Sequence, residues 1–71
     1  MKFTFSDIDY LINEYVIGKD GERDRKILRL KFIDGLSNEK IAEKVGWSKE
    51  TVQRVVQKRG YKLLLLIDED I

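Results

Sequence analysis

No proline occurs anywhere in this chain, which leaves glycine as its main punctuation. Gly18, Gly21, Gly35, Gly46 and Gly60 divide it into stretches whose apolar residues recur at helical rather than alternating spacing. That pattern predicts an all-α fold, a small bundle of four to five helices. The 71 residues make a single domain, 1–71, with a thin core.

Composition narrows the chemistry. With 42% apolar and 38% charged residues, the chain can fold and stay in water. It has no Cys and no His, which excludes a disulfide scaffold, the usual zinc sites and imidazole or thiolate catalysis. It offers no nucleophile–base pair and no phosphate-cradling glycine loop, so neither an enzyme nor a cofactor or metal is expected. The longest apolar run, Leu63–Ile67, is far short of the roughly 18 residues of a membrane span. Asp7 and Asp9 speak against a signal peptide, and a cytoplasmic location is expected.

Charge is unevenly placed. Residues 22–62 carry twelve bases against six acids, while 1–21 and 63–71 are both net acidic, for a total of +1. A basic middle suits an anionic partner, although any highly charged chain shows such blocks.

Along the chain, Ser6 reads as an N-cap with Asp9 three residues later, opening a helix over 6–17. Ile8, Leu11, Ile12, Tyr15 and Val16 form its apolar face, and Gly18 stops it. After the loop Gly18–Gly21, a second helix over 22–34 carries Ile27, Leu30 and Phe32 or Ile33 as its stripe. Ser37 caps a third helix with Ile41, Ala42 and Val45 inward, and Gly46 ends it. Ser48 caps a fourth, with Val52, Val55 and Val56 on one face, which Gly60 ends or kinks. The run 63–67 fits either a last helix over 61–67 or a short strand paired with Phe3–Phe5. The helix propensity of Leu favours the former. Residues 68–71 read as a frayed, solubilising acidic tail.

Residues 38–57 hold the informative spacing. Small Ala42 lies four before Gly46, and Val52 and Val55 follow six and nine after it. Two helices that cross steeply through a short turn need a small side chain at the crossing and glycine where φ is positive. The second helix then packs branched residues onto the first and leaves its other face exposed. Here that face is Lys49, Glu50, Gln53, Arg54, Gln57 and Lys58.

The string from Leu36 to Val55 resembles the helix-turn-helix of sigma-factor region-four and LuxR-type proteins. Glu22–Gly35 is similar to the helix that precedes the motif there, and the whole chain looks like short phage- or mobile-element-associated sigma-like proteins. The resemblance implies binding of double-stranded DNA, with Ser48–Lys58 as the recognition helix in the major groove. Base contacts would fall to Lys49, Glu50, Gln53 and Arg54, side chains able to pair with guanine, adenine or cytosine edges. Backbone contacts would fall to Ser37, Ser48, Thr51, Gln57 and Lys58, with Arg23, Arg25 and Arg29 added if their face turns to the duplex.

Two positions depart from the pattern. Trp47 stands where a smaller aliphatic is common and is expected to plug the core. Gly60 stands where the helix usually runs on. Promoter melting needs a further region, so full sigma activity is not implied.

The expected function is therefore a small sequence-specific transcriptional regulator. Rival readings are a helix-turn-helix that docks on RNA polymerase or another protein, and a DNA-packaging or recombination accessory. Five consecutive apolar residues cannot all face one small core, so a homodimer through Leu63–Ile67 is also expected.

Overall fold

The computed structural model describes residues 4–69, with side chains through Leu65. Five α-helices follow in order: α1 (Phe5–Tyr15), α2 (Gly21–Phe32), α3 (Asn38–Val45), α4 (Lys49–Val55) and α5 (Tyr61–Glu69). A π-helical turn, Val56–Gly60, joins α4 to α5 without a break. No strand occurs among the described residues. The run from Leu63 is thus helical, and of its alternative strand partner, Phe5 lies in α1 while Phe3 falls outside the described residues. Of the acidic tail, Asp68 and Glu69 belong to α5, and Asp70 and Ile71 are likewise outside.

The helix α1 starts earlier than its sequence suggests. Thr4, not Ser6, is the N-cap: its hydroxyl accepts the Asp7 N–H at 3.1 Å, and the Asp7 carboxylate accepts the Thr4 N–H at 3.0 Å. The reciprocal pair satisfies two free donors of the first turn. Asp9 is thereby released to bond elsewhere. The helix also ends at Tyr15, so the Val16 carbonyl lies past the last turn, where Arg25 Nη1 donates to it at 2.8 Å. Gly21 belongs to α2 rather than to the loop; a Cβ on it would lie 3.3 Å from the Val16 carbonyl oxygen.

Through the centre runs α2, packing on α1, α3, α4 and the π turn. Its Ile27 and Leu28 are fully enclosed, together with Ile12 of α1, Ile41 of α3 and Val52 of α4. Each such side chain contributes about 1.5–3 kcal/mol of burial, an upper figure because the unfolded chain is itself partly compact. Val16, Val55 and Leu63 complete the core. Because Leu63 is spent there, it is not available to a dimer surface, and of the apolar run's other described side chains Leu64 and Leu65 face outward.

Gly60 neither ends the helix nor frays it. The buried positions run Val52, Val55, Gly60, Leu63, at spacings of three, five and three. The five-residue step is the π turn. It brings the chain so close to α2 that a Cβ on Gly60 would stand 3.1 Å from the Phe32 ring. Any side chain there would require the Phe32 ring to give way by a few tenths of an ångström.

Candidate nucleic-acid interface

Two short helices and their turn build the site, and each bend is set by a local device. Ser37 accepts the Lys40 N–H at 3.3 Å and starts α3. Gly46 takes the left-handed conformation at φ 74°, and its N–H closes α3 on the Ala42 carbonyl at 2.9 Å. That conformation costs an L-residue with a side chain about 1–2 kcal/mol. Ser48 then accepts the Thr51 N–H at 3.2 Å and starts α4, while its Oγ lies 2.9 Å from Thr51 Oγ1. Ala42 and Val45 pack on the core, and Ile41 is sealed beneath them.

The helical period then divides α4 into two faces. Val52 and Val55 are buried, with Val56 beside them. Lys49, Glu50, Gln53 and Arg54 are exposed, as are Gln57 and Lys58 in the π turn. The structure therefore brings the residues expected at base edges together on one open, polar face. Thr51 is half-buried at its margin, and Ser37 lies at the start of α3. Lys49 Nζ is 3.2 Å from Glu39 Oε1, an exposed pair of the kind worth at most about 1 kcal/mol, and so readily exchanged for another anion.

Arg25 and Arg29 do not join that face. Arg25 holds the end of α1. Arg29 Nε lies 2.5 Å from Asp9 Oδ1, and its Nη2 donates to Asn13, so both guanidinium groups are spent fastening α2 to α1.

Trp47 is not the core plug its size suggests. It is 45% exposed, because Val45 packs against the core at this turn and Ile41 and Val52 fill the space below. The Arg23 guanidinium lies over its ring, 4.7 Å from the centroid. Sequence reasoning also missed Asp24, which is 4% exposed and paired with both Arg23 and Arg59. A signal was there: Asp24 lies three and four residues before Ile27 and Leu28, on the buried stripe of its helix.

Two crossed helices around a left-handed glycine, with a preceding helix as buttress and a polar outer face, define a helix-turn-helix protein. The family model for sigma-70, region 4, matches residues 22–58, which is more than half of the chain and spans α2 to the π turn. The chain belongs to that DNA-binding family. Neither a curated protein nor a solved structure matches it. No described helix is long and apolar enough to cross a membrane.

Proposed function

We propose that this chain is a small sequence-specific regulator that places α4 in the major groove of double-stranded DNA, in the manner of phage or mobile-element products. The carrying observation is the division of α4: every residue expected at a base edge is exposed, while Val52 and Val55 on the other face join the core. Lys49, Glu50, Gln53 and Arg54 read base edges. Ser37, Ser48, Thr51, Gln57 and Lys58 hold the phosphate backbone and fix the register. Arg25 and Arg29 are left out, since their guanidinium groups are engaged by α1 and the residue that ends it, away from the open face of α4.

A net charge of +1 means that binding depends on where the bases stand, not on their total. Lys58, with Lys49 and Arg54 where they also reach the backbone, would neutralise one to three phosphates per chain, so log K falls against log salt with a slope of about −1 to −3. Arg54→Ala should weaken binding to a preferred duplex by about 1–3 kcal/mol and relax the sequence preference at one position. An equal loss across unrelated duplexes assigns Arg54 to phosphate instead. Absence of any duplex binding at low salt removes the DNA reading and favours docking on RNA polymerase or another protein.

Exposure of Leu64 and Leu65, at 49% and 44%, supports a homodimer through α5. Such a dimer would read two half-sites about one helical turn apart. Sedimentation equilibrium checks it: a monomer at all concentrations rules it out.

A further inference from the structure

Asp24 is the one buried carboxylate among the described residues, and it lies on α2, outside the polar face of α4. Its two oxygens are divided. Oδ1 accepts from Arg23 Nε at 3.0 Å, and Oδ2 accepts from Arg59 Nε at 2.7 Å. Arg23 extends the contact further, with Nη2 3.6 Å from Asp20 and the guanidinium stacked on Trp47. Trp47 immediately precedes Ser48, the N-cap of α4, and Arg59 lies in the π turn that follows α4. The carboxylate is bonded directly to Arg59 in the turn after α4, and it holds Arg23, its neighbour on α2, whose guanidinium stacks on the ring just before α4.

We infer that Asp24 is a positioning residue for DNA reading: it sets the angle at which α4 is presented, by holding both ends from α2. The inference rests on the DNA-binding role proposed above.

The caps at Ser37 and Ser48 fix where helices begin, not how α4 is tilted. Val52 and Val55 bind α4 to the core by burial, which has no preferred direction. Charge-assisted hydrogen bonds do have one. Buried ion pairs are poor sources of net stability, and fixing one arrangement over another is their better-attested use. The length of α4 makes angle matter. A tilt of about 15° over its seven residues, roughly 10 Å, displaces the far end by roughly 3 Å, enough to lose a hydrogen bond.

The π turn belongs to the same device. At α-helical spacing from Val52 and Val55, position 59 would fall on the core stripe. The five-residue step puts Gly60 there instead and leaves Arg59 half-buried, at the carboxylate.

The test compares two affinities: for a duplex selected from a random pool by the unmodified chain, and for a random-sequence duplex. Asp24→Asn, which removes the charge and keeps the shape, and Arg59→Gln should each lower the ratio of the two by about tenfold or more, the worth of one good base contact. Random-duplex affinity and its salt slope should stay near their original values. The two losses should not add in the double variant, since the contact that Arg59→Gln removes is one of the two that Asp24→Asn weakens. Asp24→Glu should recover part of the ratio. Ile12→Val, a core truncation on α1, should lower Tm and leave the ratio alone. Residual dipolar couplings of the free Asp24→Asn chain should show α4 reoriented against α2.

A ratio unchanged in Asp24→Asn overturns the positioning role, whatever the Tm, as do unchanged couplings. An unmodified chain that binds random duplex yet selects no sequence also overturns it, leaving DNA binding intact. An unmodified chain that binds neither duplex overturns the DNA reading itself, and the positioning role with it.

Discussion

Within the helix-turn-helix, shape comes from short-range contacts. Ser37 caps Lys40, Gly46 reaches back to Ala42, and Ser48 caps Thr51, all within four residues in sequence. In the platform beneath, local contacts are joined by three arginines that link distant parts of the chain: Arg25 to Val16, Arg29 to Asp9 and Arg59 to Asp24, across 9, 20 and 35 positions. The first region defines what the motif is. The second defines how it is held out to a partner. A common apolar core joins the two, so neither region stands without the other.

The largest effect should come from breaking that shared core. Ile41→Ala, at a fully enclosed position of α3, should cost about 2–5 kcal/mol. Thermal denaturation should show one cooperative transition moved sharply down. Two separate transitions would mean that the regions fold independently. Next comes Gly60→Ala, which crowds Phe32 and should cost about 1–3 kcal/mol as an overpacked contact. Adding Phe32→Leu should return part of the loss. No recovery would place the strain in the π backbone rather than at the ring.

Ser48→Ala removes a cap and should cost about 1 kcal/mol in chemical denaturation, independent of salt. The smallest effect is expected for Asp9→Asn. Its pair with Arg29 is over a third exposed on both sides, so the loss should be under about 1 kcal/mol and shrink as salt rises. A salt-dependent loss at Ser48, or a large salt-independent one at Asp9, would erase the contrast between the regions.

The same contrast explains what could be read from sequence. Ser37, Gly46 and Ser48 act on neighbours a few residues away, so their roles follow from spacing alone, and the two motif helices start where those residues predict. The first cap is ambiguous in sequence because Ser6/Asp9 and Thr4/Asp7 offer the same spacing two residues apart. Asp9 is used by Arg29, twenty positions on, which no local pattern records. Size alone points Trp47 inward, whereas its place is decided by Arg23 and by a core already filled. The π turn needed knowledge of Phe32, which faces Gly60 from another helix. Periodicity assigned the polar residues of α4 to one face; the ion pairs behind that face required the fold.

The most direct measurement is an amide NMR titration of the chain with a random-sequence duplex at low salt. The account predicts shifts concentrated on Ser48–Lys58, with smaller ones at Ser37, all fading as salt is raised. Shifts that are absent, or that gather on α5 around Leu64 and Leu65 while α4 stays silent, would contradict it.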